Sequence, residues 1–257
     1  MTTPEEVAAY ADQLLESSSC PDYPNALNGL QITGRGPIRA IAAAVDFSTR
    51  TIEKAIEAGA NFLVVHHGMF WPGLERITGI TYRRICSLIE NDLAVYSSHL
   101  PLDRHESLGN NALLAREIGL EASGSFAHHD DVTIGVSGST DVMTVDLVRR
   151  VRKFAQTHGG DVRTTAIADR QRTHRWAICT GAGASAETLR EAVTMEIDTL
   201  IVGEGAHWTA VSAEEHGLTI LYAGHYATET LGVQALARHL SEKFKLPWSF
   251  IEAPTGL

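Results

Sequence analysis

The chain offers little sulfur chemistry: its three cysteines, Cys20, Cys86 and Cys179, are odd in number and widely spaced. That pattern fits neither a disulfide framework nor a cysteine-ligated zinc site. Their apolar surroundings suit small buried side chains. Positive charge is also scarce, with 21 Lys and Arg against 31 Asp and Glu and a formal net charge of −10. So acidic a chain repels phosphate backbones, which makes a nucleic-acid partner unexpected and leaves no basic stripe for a DNA-binding regulator. Long apolar runs are missing too, and no stretch reaches the length needed to cross a bilayer. The N-terminus opens with Thr2-Thr3-Pro4-Glu5-Glu6, an acidic helix start rather than a basic signal peptide. The expectation is a cytoplasmic protein with no membrane partner. No Gly-x-Ser-x-Gly elbow occurs, so serine-triad chemistry has no support. The stretch Thr180-Gly181-Ala182-Gly183-Ala184-Ser185 resembles a phosphate-cradling turn but lacks the lysine of a P-loop and the full dinucleotide fingerprint. It reads as a tight strand-to-helix connection, with weak capacity for a phosphate at the helix N-terminus.

What is present is an ordinary globular composition, 44% hydrophobic and 20% charged over 257 residues, enough to bury a substantial core. Residues 3–17 read as a helix, with Thr3 as cap, Pro4 in the first turn and Val7, Tyr10, Ala11, Leu14 and Leu15 on one face. A loop rich in Pro, Asn and Gly follows and carries Asn28-Gly29-Leu30-Gln31 before a short extended stretch. From Ile38 onward apolar strands alternate with amphipathic helices, the signature of an α/β fold with mostly parallel sheets flanked by helices. Strands are expected near 38–45, 61–65, 93–97, 132–138, 162–167, 175–180, 198–202, 218–223 and 248–252. Helices are expected near 48–58, 79–91, 107–118, 144–157, 185–195, 207–216 and 228–243.

The informative feature is an internal repeat. Ile41 to Gly68 aligns without gaps onto Ile178 to Gly205, an offset of 137 residues. Each copy is a strand, a Ser-capped helix and a second apolar strand, which is a βαβ unit. After that second strand the first copy carries His66-His67-Gly68, where the second has Gly203-Glu204-Gly205. The likeness continues: Leu93 to Ser98 resembles Leu218 to Ala223, and each runs into a His-x-x-x-acid element, His99 to Asp103 and His225 to Glu229. Any two βαβ units share an apolar pattern; matching polar residues at matching strand ends point to duplication into two similar lobes.

In parallel α/β sheets, ligands bind beyond the carboxyl ends of the strands. His66-His67, His99 to Asp103 and His225 to Glu229 all fall there. Gly68 would let the backbone turn just past the strand, so that adjacent histidines reach two neighbouring ions. His225 and Glu229 are four apart at a helix start, hence on one face. Histidine and carboxylate without sulfur suit Zn, Mn or Fe. Each residue has a plainer alternative: the His pair as a polar edge, His225 as a satisfied core histidine, Glu229 as a first-turn carboxylate, Asp103 as a loop cap. Trp71 serves equally as the wall of a substrate mouth or as packing. His128-His129-Asp130-Asp131 precedes a predicted strand, at the opposite edge, and reads as a solvated loop.

Taken together, Asn28-Gly29-Leu30-Gln31, Val65-His66-His67-Gly68, His99 to Asp103, Gly203-Glu204 and Gly224-His225-Tyr226-Ala227-Thr228-Glu229 resemble the GTP cyclohydrolase type 2-like family, the Nif-three-like group of dinuclear metal-centre proteins. The resemblance runs in order along almost the whole chain. It implies two interlocked α/β lobes, with 1–125 plus 220–257 as the first and 126–219 as the second, and a toroidal homohexamer. It also implies two divalent ions (Zn, Fe or Mn) held by His66, His67, Asp103, His225 and Glu229, with His99 a further histidine close to them. One departure is Gly68-Met69, where many members have Pro and Leu, a change at the rim rather than among the ligands. The reading that follows is a metal-dependent hydrolase using a metal-activated water on a small molecule such as a nucleotide. His99 is its candidate for proton transfer. Glu204 has two readings, a catalytic or supporting carboxylate and a helix cap near Ala206. The alternative for the whole protein is a non-enzymatic metal-binding scaffold, metal carrier or regulatory protein.

Overall fold

Three helix starts in this chain are written in short polar side chains. Thr3 accepts from the Glu6 backbone N–H while Glu6 returns a bond to the Thr3 N–H, and Pro4 occupies the first turn. Ser48 with Thr51, and Ser185 with Thr188, make the same reciprocal cap at two later helices. A computed structural model describes residues 1–257. In chain order the helices are α1 Pro4–Leu14, α2 Thr49–Glu57, α3 Gly79–Glu90, α4 Leu100–Asp103, α5 Asn110–Glu117, α6 Thr144–Thr157, α7 Ala186–Thr194, α8 His207–Glu215, α9 His225–Thr228 and α10 Thr230–Phe244. The strands are β1 Gly29–Ile32, β2 Ile41–Asp46, β3 Phe62–His67, β4 Ala94–Ser97, β5 Gly124–His129, β6 Val132–Met143, β7 Arg163–Thr164, β8 Arg172–Cys179, β9 Thr199–Val202, β10 Thr219–Tyr222 and β11 Trp248–Phe250. No helix is long and apolar enough to cross a membrane.

The chain forms two units, Met1–Leu102 with Gly232–Ala253, and Asp103–Leu231 with Pro254–Leu257. The first holds a five-stranded sheet in the order β1-β4-β3-β2-β11, parallel except for β1. Its central strands are apolar on both faces, as Ile41–Val45 and Phe62–Val65 require when helices cover a parallel sheet. Ala42, Ala44, Leu63, Val65 and Val95 pack with Ile52 and Ala55 of α2 and Leu88 of α3. Each large apolar side chain buried in this way contributes about 1.5–3 kcal/mol.

The second unit holds a six-stranded sheet in the order β5-β6-β8-β9-β10-β7. Strand parity divides its core: Trp176, Ile178, Ile201 and Leu221 face α6, whereas Ala177, Cys179, Leu200, Val202 and Ile220 face Leu189 and Ala192 of α7. The sheet is parallel only across β8-β9-β10 and antiparallel elsewhere. The β5–β6 hairpin is the main addition to the sequence expectation, which had a loop before 132. His128 and His129 end β5, and Asp130, at φ 49°, lies in the turn. Segments 103–125 and 220–231, given to the first lobe by the sequence reading, group with this second sheet. The reason is local: β10 pairs with β9, and α5 packs on β6 and β8.

Candidate metal centre

In the first unit, β3 runs two residues further than the apolar run suggests. His66 and His67 are its last residues, both buried, and His67 still pairs with Asp46 across the sheet. They therefore belong to the strand and do not follow a turn at Gly68. Each ring is oriented through Nδ1. His66 Nδ1 donates to the backbone carbonyl of Ser98 at 2.9 Å, and His67 Nδ1 to Asp46 Oδ1 at 2.8 Å. His99, after β4, donates from Nδ1 to Asp22 Oδ1 at 2.8 Å. The three rings cluster, His66 lying 4.8 Å from His67 and 4.9 Å from His99 between centroids. One ligand-capable atom from each lies within 4.8 Å of the others. Trp71 closes the group, its ring 4.6 Å from both His67 and His99. Gly68 has a different reason to be glycine: a Cβ there would sit 2.3 Å from Gln31 Nε2. Gln31 needs that place, because its Oε1 accepts from Met69 N–H and its Nε2 donates to the Ala26 and Leu27 carbonyls.

In the second unit, α9 begins at His225 after Gly224, which adopts φ 94°. His225 Nδ1 donates to Glu204 Oε1 at 2.8 Å, and its Nε2 lies 3.1 Å from Glu229 Oε2. Burial opposes a charged His225 ring. The charge and hydrogen bond of Glu229, with those of Glu204, outweigh it and push the pKa up to about 9. Asp103 accepts from Asn110 Nδ2 at 2.8 Å, and carboxylate oxygens of Asp103 and Glu229 lie within 4.8 Å of one another. The nearby Cys179 thiol is pushed up by burial, then by the charges of Asp103, Glu229 and Glu191, which keeps it neutral.

The glycine-rich turn is the floor beneath this pair rather than a phosphate cradle. Four of its six backbone donors are committed: Thr180 N–H to Asn111 Oδ1, Gly181 N–H to Thr228 Oγ1, Ala184 N–H to the Glu204 carbonyl and Ser185 N–H to Thr188 Oγ1. Gly181 has φ 62°, and a Cβ there would lie 2.1 Å from Glu229 Oε1. Glu204 is not the cap of α8, whose N-cap is Ala206 and has no side-chain cap bond.

The arrangement suits a divalent cation on chemical grounds. A carbonyl can only accept, so His66 must carry its proton on Nδ1 and its lone pair on Nε2; the carboxylates at His67 and His99 favour the same form, as does that at His225 once its ring has lost a proton. An imidazole fixed through Nδ1 by an outer oxygen is the usual dress of a metal-ligating histidine. His128 differs: its Nδ1 meets Glu191 Oε1 at 2.8 Å on an exposed hairpin, away from the cluster. Sequence reasoning missed Asp22 and Asp46. Asn28 and Gln31 were noted only as a motif, and their neighbours His99 and Met69 explain why the motif is there.

The model of a family described as Duf34/NIF3 (NGG1p interacting factor 3) matches residues 2–255. A Deinococcus radiodurans protein named GTP cyclohydrolase 1 type 2 homolog is 38% identical over 255 residues, covering 98% of this chain and 94% of its own. A solved structure of protein ybgI, described as of unknown function, has a TM-score of 0.89 at 32% identity over 100% of both chains. That of a Thermus thermophilus protein has a TM-score of 0.84 at 34% identity, again over 100% of both.

Proposed function

As the chain belongs to the Duf34/NIF3 family, we propose that it is a metal-dependent hydrolase holding two divalent cations on His66, His67, Asp103, His225 and Glu229. The observation that carries this reading is the shared orientation of the rings: His66, His67 and His225 each spend Nδ1 on an oxygen of their own unit. Nitrogen and oxygen donors without sulfur suit Zn, Fe or Mn. When bound, a pair of such cations lowers the pKa of water and stabilises negative charge on the group under attack.

The chain's own residues divide the remaining work. Asp46 and Glu204 hold His67 and His225 in the ligating tautomer. His99 moves protons at Nε2, its ring steadied by Trp71 on one side. The exposed Phe70 and half-buried Trp71 frame the approach to these rings. The substrate class we favour is a nucleotide, following the names of the relatives, with ring opening of a purine or phosphoester cleavage as the reaction. The proposal extends to a cytoplasmic toroidal homohexamer, whose mass analytical ultracentrifugation reads directly.

Metal analysis of the purified protein, followed by turnover assays with GTP and bis(p-nitrophenyl) phosphate, tests the reading. Two ions per chain and turnover that His66→Ala and Glu229→Ala abolish are the expected results. Bound metal without turnover of any nucleotide or phosphoester would favour the scaffold or carrier instead. Unchanged metal content in both variants would remove the ligand assignment.

A further inference from the structure

Asp22 lies in the loop between α1 and β1, 77 residues before the histidine it touches. Four donors converge on its two oxygens. Oδ1 accepts from His99 Nδ1 at 2.8 Å and from the Tyr23 N–H at 2.7 Å, while Oδ2 accepts from the Leu100 N–H at 2.9 Å and from Asn28 Nδ2 at 2.8 Å. Asn28 then closes a circuit, its Oδ1 accepting the backbone N–H of His99 at 2.7 Å. One loop thus grips His99 at both backbone and ring. The grip is made away from water, the Asp22 side chain being 6% and the His99 side chain 9% exposed. Burial by itself raises the Asp22 pKa; the hydrogen bonds from His99, Asn28 and the Leu100 N–H outweigh it and hold the carboxyl below its ordinary range.

We propose that Asp22 is the positioning carboxylate of a proton-transferring Asp22–His99 pair, fixing His99 as the Nδ1–H tautomer with a basic Nε2 beside His66 and His67. The proposal rests on the hydrolase reading of the same site. In the step it serves, His99 Nε2 takes a proton from the attacking water as the new bond from that water's oxygen forms, and returns it to the leaving group as the scissile bond breaks. His99 ends each cycle unchanged, and no oxidant or other co-reactant is needed. Asp22 never exchanges a proton with substrate. It keeps the ring in the tautomer and orientation that allow the exchange, the role a buried carboxylate plays behind a catalytic histidine in other hydrolases.

The converging donors make one substitution diagnostic. In Asp22→Asn, an amide must replace two acceptors with one acceptor and one donor. Two donors that cannot change role, from Leu100 and Asn28, face the Oδ2 position and one, the Tyr23 N–H, faces Oδ1, so the amide oxygen goes to Oδ2 and the amide NH2 turns to His99 Nδ1. That ring nitrogen must then accept, which moves the ring proton to Nε2 and removes the base. Long-range 1H–15N correlation spectra of the histidine rings, with His99 assigned by its absence in His99→Ala, read the tautomer in metal-free protein. Wild type should show Nδ1–H and Asp22→Asn should show Nε2–H. Metal content should be unchanged in Asp22→Asn and in His99→Ala. With GTP or bis(p-nitrophenyl) phosphate, kcat should fall by about 10²-fold or more while KM stays near wild type. An Nε2–H ring in wild type overturns the proposal, and that spectrum decides even if the variant fails to fold. Wild-type kcat in a variant with a switched ring also overturns it, as does loss of metal in His99→Ala, which would make His99 a ligand. Absence of wild-type turnover overturns the hydrolase reading instead, and the spectra then decide whether Asp22 positions His99.

Discussion

His99 in the first unit and His225 in the second each open a His-x-x-x-acid segment after the last parallel strand of a βαβ repeat. Their rings are nevertheless held by carboxylates of unrelated origin. Asp22 reaches His99 from the N-terminal loop, whereas Glu204 reaches His225 from the end of β9. Glu204 stands where the first copy has His67, whose own supporting carboxylate is Asp46. One repeat position is thus an imidazole in one unit and the support for an imidazole in the other. The scaffold around it has changed far less. Thr51 Oγ1 donates to the Asp46 carbonyl and Thr188 Oγ1 to the Gly183 carbonyl, positions matched by the repeat offset. The strand ends have diverged in one more way. In β8, Cys179 sits opposite Val202 and Ala184 opposite Gly205, so one strand advances five residues while its partner advances three. The surplus is the Gly181 turn, and it makes the room that Glu229 occupies. Duplication supplied the frame, and local changes at strand ends made the two halves chemically different.

The comparison breaks most severely at the glycines. Gly181→Ala places a Cβ on Glu229 Oε1 at a positive φ, so metal affinity measured by titration calorimetry should fall more than 100-fold. Gly68→Ala meets only the end of the Gln31 side chain, which must give up its bonds to Ala26, Leu27 and Met69 but is not one of the proposed ligands, and should cost less than tenfold in metal affinity. A reversed ranking would contradict the roles given to the two turns. The supporting carboxylates come next. Asp46→Asn and Glu204→Gln each loosen one ring without removing a ligand, and each should weaken metal binding by about 10- to 100-fold. If Glu204→Gln binds metal like wild type, its hydrogen bond to His225 is incidental.

A proton sharpens the contrast further. His225 has its pKa raised to about 9 in the metal-free protein, so below that pH it is charged and must lose a proton before Nε2 can ligate. Apparent metal affinity should therefore rise by about tenfold per pH unit up to about pH 9, and calorimetry in buffers of different ionisation heat should register the proton released. A flat profile between pH 7 and 9 would contradict this. The smallest effects belong to the shared frame. Ser48→Ala and Ser185→Ala each remove one cap and should destabilise the fold by about 1 kcal/mol in denaturant unfolding, with metal content unchanged.

The frame was legible because apolar runs such as Phe62–Val65 and capped helix starts are local signals. His66, His67, Asp103, His225 and Glu229 stood out for a related reason: each follows or ends such a run. Asp22 and Asp46 did not, since a supporting carboxylate is identified by its distance in space to a ring, and 77 residues separate Asp22 from His99. The β5–β6 hairpin was obscured by its composition. Gly124, Ser125, Gly135, Gly138 and Asp141 weaken strand propensity, and only pairing with β8 makes the long strand Val132–Met143 evident. The unit boundary at 102/103 was hidden as well, because it falls inside α4 between the two ends of one His-x-x-x-acid motif.

The most direct test of the account is the metal stoichiometry of the purified protein and of His66→Ala, measured by native mass spectrometry after saturation with Zn, Mn or Fe(II). The account predicts two ions per chain in wild type and at most one in the variant, with both proteins folded. No bound ion in wild type, or two ions in the folded variant, would contradict it.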